Sequence, residues 1–452
     1  MQADRETGTD RETGTYRVYG YRWVVLAVFM LVNLAIQVLW ISYAPITSQA
    51  SRYYGVSSLA IGVLAMTFMI AFVPLSLPAA WVIDTHGFRL AVGLGVVLMA
   101  VFGVMRGLVG PNYALVLLST IGLAVSQPFL MDAWTKVPAN WFAQGERATA
   151  VGLITLASML GIAVGMVLTP ILSNAMSIAD VQIAYGLFAA ATAVAFLVLA
   201  RERPATPPCP QGMDERALML DGLKHALTVK PFLVMLGLAF IVMSAFNGVT
   251  TWVEEIIKPR GFSSTEAGIM GGLMLIAGII GAVVLSALSD RQGKRVRFMV
   301  IALVAAVPGM LGVAFVSSLA LLYAFAAVLG FFLVAVLPIG MQYSAEITNP
   351  TPEGTSNGLI QLCGQVSVVY VYVMAALRTS NGSFTVSLLL SAVLLVGCAL
   401  AVSRLKDAGP VAASAGVAAS AGAAASAGAV ASVADGLVDD LAAAVPAPPA
   451  GK

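Results

Sequence analysis

The 452-residue chain is 59% hydrophobic and only 10% charged, with a mean hydropathy of +0.92. Soluble domains carry about 25% charged residues, so this composition excludes an aqueous globular protein and assigns most of the chain to lipid. A net charge of +2 implies no nucleic-acid partner, and the three scattered cysteines (Cys209, Cys363, Cys398) show neither a disulfide framework nor metal-ligand spacing.

Residues 1–22 read as a polar tail with a near-duplicated Arg-Glu-Thr-Gly-Thr at Arg5 and Arg11. The first apolar run, from Trp23, is too long for a signal-peptide core and lacks a cleavage site, so no cleavable signal is expected. Twelve apolar runs of about 20 residues predict membrane helices. The first six span roughly 23–45, 59–82, 88–108, 112–139, 148–172 and 180–200. The second six span roughly 231–254, 265–288, 297–316, 318–342, 356–377 and 383–403. Residues 201–230, with Pro204, Pro207, Pro208 and Pro210 and an amphipathic piece near 214–227, form a central loop. The expected organisation is therefore a tail (1–22), a first bundle (23–200), a loop (201–230), a second bundle (231–404) and a disordered Ala/Gly/Ser/Pro-rich tail (405–452). A thirteenth helix over Val411–Val433 is disfavoured, because glycine and serine recur through it and nothing apolar is larger than valine. The fold class is an all-α membrane protein.

One motif recurs between the second and third helices of each half. It reads Asp84-Thr85-His86-Gly87-Phe88-Arg89 and Asp290-Arg291-Gln292-Gly293-Lys294-Arg295. In each copy an acid ends one helix, a glycine makes the tight turn, and basic residues anchor the next helix at the headgroups. With the N-terminus inside, the 24 basic residues divide nineteen inside to five outside. That bias places both termini in the cytoplasm and the chain in a cell (plasma) membrane, and the alanine-rich composition leans toward a bacterial one.

Polar stripes at helical spacing mark faces that avoid lipid. They are Asn33, Gln37 and Trp40 on helix one, Ser244, Asn247, Thr251 and Glu254 on helix seven, and Asn357, Gln361 and Gln365 on helix eleven. Such residues either line a cavity or bond helix to helix. Asp132 and Lys136 on helix four stand at i, i+4, which points to an ion pair; a proton- or cation-coupling carboxylate is the other reading. Arg106 is expected to snorkel to the outer surface. Glu254 and Glu255, ending helix seven, either draw cations to the outer mouth or cap a loop shared with Lys258 and Arg260. Gly161 and Gly165 on helix five, and the glycines between Gly268 and Gly281 on helix eight, permit close helix approach. No nucleotide-binding motif, nucleophile–base set or cofactor site appears, which argues against an enzyme.

Twelve helices, the duplicated motif and the charged central loop resemble the major facilitator superfamily. The resemblance implies two six-helix bundles rocking about a central site, with alternating access. Asp84, Gly87, Arg89, Asp290, Gly293, Lys294 and Arg295 would then belong to a cytoplasmic gate latch, with Glu346 beside them. The first copy carries Phe88 where the second has a basic residue, so its latch is expected to be the weaker. A closer resemblance is to the feline leukaemia virus subgroup C receptor family of carriers. It rests on Tyr21-Arg22-Trp23-Val24-Val25, Trp40-Ile41-x-Tyr43, Pro78-Ala79-x-Trp81, Leu337-Pro338-Ile339-Gly340, Glu346-Ile347-Thr348-Asn349-Pro350 and Glu353-Gly354-Thr355-Ser356-Asn357-Gly358. It covers roughly 21–400 and implies a choline-, ethanolamine- or haem-related cargo. Trp40 matches a cation-stacking tryptophan of that family and Gln365 a helix-eleven glutamine, while Met159 stands where those relatives carry another glutamine. The sequence therefore predicts a monomeric secondary transporter in the lipid bilayer for a small organic, amine-like cation. A haem or organic-anion carrier, a proton-coupled exporter and a non-transporting receptor are the alternatives.

Overall fold

A computed structural model describes residues 19–143, 146–206, 224–348, 351, 353–379 and 381–407. Among them, 12 helices are long and apolar enough to cross a membrane. They are α1 (Arg22–Tyr54), α2 (Ser58–His86), α3 (Phe88–Leu108), α4 (Tyr113–Trp141), α5 (Thr149–Ala175) and α6 (Ile178–Leu199), then α7 (Lys230–Thr251), α8 (Ser264–Gln292), α9 (Arg295–Phe315), α10 (Leu319–Ile347), α11 (Ser356–Ala376) and α12 (Thr385–Val402). Helices are the expected solution, because hydrocarbon offers backbone amides and carbonyls no other partner. Side chains such as Ile70, Leu77, Leu108, Val198 and Val393 stay exposed, as lipid-facing residues do.

The two halves repeat one packing scheme. In the first, α1 packs on α5, α2 on α4, and α3 on α4 and α6; in the second, α7 packs on α11, α8 on α10, and α9 on α10 and α12. The architecture is the expected pair of six-helix bundles. Helices α2, α4, α6 and α8 start on the face opposite the D-x-x-G-x-R loops. Each carries a side-chain N-cap, from Ser57, Asn112, Ser177 and Ser263 respectively, which satisfies one of its free amides. Ser263 and Glu266 form a reciprocal capping box.

Three spans are discontinuous. In α1 the regular helix Arg22–Ile41 breaks at Ser42 and Tyr43, passes through a tight turn at Ala44–Ile46 containing Pro45, and resumes as Thr47–Tyr54. The expected end of helix one near residue 45 was therefore too early; Pro45 interrupts the helix without ending it. In α4 the helix stops at Met131 and resumes at Lys136. In α11 it pauses at Ser367. Of the expected amphipathic piece at 214–227, residues 224–227 are helical and the rest lies outside the described residues, as does the whole of 411–433.

Candidate substrate site and gates

The break in α1 sets the position of the most distinctive candidate. Trp40 lies about 28 Å along a helix of about 50 Å, taking 1.5 Å per residue over its 33 residues. Trp40 is the next-to-last residue of the regular helix Arg22–Ile41, directly before the break. Its indole Nε1 donates to the Ala65 carbonyl of α2 at 3.2 Å, so the ring is held edge-on by its polar tip. Gln37, one turn earlier on the same face, is 7% exposed, and its side-chain oxygen has no hydrogen-bond partner. Gly161 and Gly165 of α5 bring that helix so close to α1 that a Cβ on either would strike α1, at Leu34 and Gln37 or at Val38 and Ile41. Met159, two residues before Gly161, is half-buried on the same helix. Asn33 is consumed locally, donating to the Phe29 carbonyl and accepting the Trp134 indole proton at 2.6 Å.

In the second half, Asn247 of α7 donates to Ser367 Oγ at 2.9 Å, stitching α7 to the pause in α11. Ser244 and Thr251 of α7 and Asn357 of α11 each keep a buried oxygen without a partner. Gln361 and Gln365 of α11 are half-buried. A buried polar oxygen without a partner costs about 1–3 kcal/mol, so such groups mark places where a ligand or water is accepted. Among the described residues they occur on α1, α7 and α11, which carry the expected polar stripes, and also at Ser286 of α8 and Ser344 of α10.

The expected Asp132–Lys136 ion pair is absent. The helix stops at Met131, so the i, i+4 geometry never forms, and Lys136 instead meets Asp84 of the first motif loop at 2.9 Å. Asp132 accepts a hydrogen bond from Ser76 of α2 at 3.0 Å and has no ion-pair partner among the described residues. Arg106 does not snorkel either. It is 1% exposed, inside the first bundle against the α1 break.

The two motif loops differ. Both glycines hold positive φ, Gly87 at 88° and Gly293 at 63°. In the second loop Lys294 is exposed and Arg295 turns inward, where it pairs with Asp290 and lies 3.2 Å from Glu346 of α10. In the first loop the order is inverted: Phe88 is fully buried and Arg89 is exposed. The amides of Phe88 and Arg89 are capped by Glu202, at 3.1 and 2.7 Å. That carboxylate fills the space where a Cβ on Gly87 would sit. In the second half Asp407 caps the Val296 amide in the same way, at 2.8 Å. A basic–acidic pair follows each sixth helix (Arg201-Glu202, Lys406-Asp407), a repeat signal that reading the loops alone missed.

On the opposite face the halves meet. Among the described residues, five hydrogen bonds cross between them here. The Ser48 amide, in the first turn of the Thr47–Tyr54 segment, donates to Glu254 at 2.7 Å. The Ser48 hydroxyl donates to Glu255 at 3.3 Å and accepts from Lys258 at 2.7 Å. Gln49 reaches Ser264, and Asn174 reaches Thr265. Glu255 is fully buried, and Arg378 stands 2.6 Å from its second oxygen. Glu254 has no such ion pair, and burial raises its carboxyl above the ordinary range, against the lowering effect of the Ser48 bonds. Below these polar contacts, Gly62 of α2 lies against the Trp252 ring, and Gly268, Gly271 and Gly272 of α8 lie against α5.

Two repeated bundles of membrane-length helices, three of them broken, meet in a closure on one face. The chain matches the profile of the Major Facilitator Superfamily over residues 23–369 and 253–434, and it belongs to that superfamily. It is similar to Solute carrier family 49 member A3 of Danio rerio, 29% identical over 85% of this chain and 84% of that one. It is also similar to Choline/ethanolamine transporter FLVCR1 of Felis catus, 29% identical over 76% of this chain and 65% of that one. Among solved structures it shares its fold with a bacterial homologue of the human lysosomal transporter Spinster in an inward-facing and unoccupied conformation. That match has a TM-score of 0.67 at 15% identity and covers 86% of this chain and 98% of that one. The protein is a secondary transporter for a small organic solute and not an enzyme.

Proposed function

We propose that the solute is a small organic cation of the choline or ethanolamine kind, carried by alternating access. The observation that carries this reading is Gln37 beside Trp40: an unpartnered buried amide oxygen one turn from an indole face. An ammonium over a desolvated indole gains about 2 kcal/mol. The amide oxygen would accept a hydroxyl or amine proton. Met159, Gln361 and Gln365 would close the site from α5 and α11, and Asn247 would hold α11 in place through Ser367. An organic anion or haem propionate would need a free cation, and Arg106, which contacts the α1 segment around Trp40, is engaged by α1. The name of the feline relative supports the same class.

The nineteen-to-five bias of basic residues supports a cytoplasmic motif face, with both termini inside a plasma membrane. In that orientation the closed face is external. Bundles at 23–200 and 231–404 would rock as units in a monomer, with the two motif loops and Glu346 bracing the cytoplasmic gate. Asp132, lacking an ion partner, would take up the coupling proton or cation. Asp132→Asn is then expected to abolish gradient-driven uptake while sparing exchange; undiminished gradient-driven uptake would remove it from coupling.

Thermal denaturation of the purified chain with choline, ethanolamine, haem or an organic acid tests the cargo class, since a ligand of the folded state raises its midpoint. Stabilisation by the amines, lost in Trp40→Ala, is expected. Stabilisation by haem or the acid alone would overturn the proposal.

A further inference from the structure

Arg106 is a buried cation that the cargo site does not use directly. It projects from α3, a helix clamped to α6 by glycines: Gly103 and Gly186 face each other, and Gly107 meets Ile183. From that base its Nη1 donates to the Leu39 carbonyl at 2.8 Å, and its Nη2 lies 3.5 Å from Ser42 Oγ. The guanidinium also sits 4.2 Å over the Tyr43 ring. No carboxylate pairs with it among the described residues. A permanent cation at this depth is costly, so its partners must recover several kcal/mol.

Two of the partners, Ser42 and Tyr43, are residues of the α1 break and the third, Leu39, lies in the last turn before it; together they flank Trp40 in sequence. The Ser42 hydroxyl also donates to the Leu39 carbonyl and receives Gln182 Nε2 at 3.3 Å. The Tyr43 hydroxyl is locked 2.7 Å from that of Tyr54. The break is thus held open by a cation from outside the helix, not by Pro45 alone. At the matching position of α9 the second half has Gly312, packed against the Phe325 ring, so no cation stands there.

We propose that Arg106 is a positioning residue for transport. It fixes the carbonyls and the aromatic ring of the α1 break, and so fixes the angle at which Trp40 meets its cargo. It does not touch the cargo. This step rests on the proposed role of Trp40.

The test has an arm that needs no cargo. The full chain, labelled with 5-fluorotryptophan, gives fluorine resonances from six tryptophans, and the Trp40 signal is assigned by its loss in Trp40→Phe. Arg106→Gln is expected to move the Trp40 resonance and leave that of Trp81, which is exposed on α2, in place. Arg106→Lys keeps the charge without the planar fork and is expected to shift the same signal by less, which covers the case of a glutamine variant that fails to fold. An unmoved Trp40 signal in a folded variant overturns the proposal. In proteoliposomes, Arg106→Lys is expected to raise the choline KM by about tenfold with little change in maximal rate, an effect that vanishes on a Trp40→Ala background. Additive losses would mean that Arg106 acts elsewhere. A moved Trp40 resonance with choline transport insensitive to Trp40→Ala would instead sink the cargo reading and leave the pin standing.

Discussion

The two faces of the carrier are built on different plans. On the motif face the charged groups of each loop bond within their own half: Asp84 to Lys136, Glu202 to the start of α3, Arg295 to Asp290 and Glu346. On the opposite face the charged groups reach across, from Ser48 and Gln49 to Glu254, Glu255, Lys258 and Ser264. Bonds within a half brace a rigid body and do not change as it tilts. Bonds between halves must break in each cycle, so they set the balance of states. The same polar chemistry therefore serves stability on one face and switching on the other.

The largest expected effect falls on the braced face. Arg295 is 6% exposed, and Arg295→Gln strands Asp290 and the nearly buried Glu346, at a cost of about 3 kcal/mol for a broken buried network. A clear fall in thermal midpoint, with transport reduced in proportion to folded protein, is expected. A normal midpoint with lost transport would make the loop a switch and erase the distinction.

Glu255→Gln comes next. It removes the carboxylate from between Arg378 and Lys258, both of which reach solvent, so the loss is discounted to about 2 kcal/mol. The midpoint should fall by less than for Arg295→Gln, and because Glu255 also holds Ser48 across the seam, spin-label distances between α5 and α8 should lengthen. Unchanged distances would show that this face is also only a brace.

Glu254 makes the closed face respond to pH. Its carboxyl is raised in the closed state, so the neutral form favours closure. Closure is then strongest below the ordinary carboxylate value and weakens as pH rises through the raised one. Glu255 opposes ionisation of Glu254, while Lys258 and the Ser48 bonds favour it. Glu254→Gln is expected to flatten the pH dependence of the seam distance; an undiminished dependence would assign it to another group.

The smallest effect belongs to Arg89→Gln. Arg89 is exposed and only its backbone amide is engaged, so less than about 0.5 kcal/mol is expected. An effect equal to that of Arg295→Gln would void the asymmetry between the loops.

Much of this was legible in the sequence. Run lengths marked the twelve spans and the repeated D-x-x-G-x-R marked the internal repeat, while Phe88 against Lys294 showed the two loops to differ in composition. The sequence did not show that Phe88 and Arg89 exchange places, because burial there depends on Glu202 arriving from beyond α6. Local spacing misled at Asp132 and Lys136, since the i, i+4 rule assumes a continuous helix and α4 breaks between them. Arg106 was misplaced for a related reason: its depth follows from the extension of α1 past Pro45, and its partners lie more than sixty positions away. Among the candidates, Gln37 gained weight from its unpartnered oxygen, while Asn247 acquired a partner in Ser367.

The central claim is that an organic cation crosses at Trp40. Counterflow of labelled choline into proteoliposomes holding the full chain measures it directly. Saturable uptake is expected that ethanolamine competes away and that Trp40→Ala lowers by about tenfold, the loss of one cation–π contact of about 1.4 kcal/mol or more. Saturable uptake that Trp40→Ala leaves intact, or choline flux no greater than in empty liposomes, would contradict it.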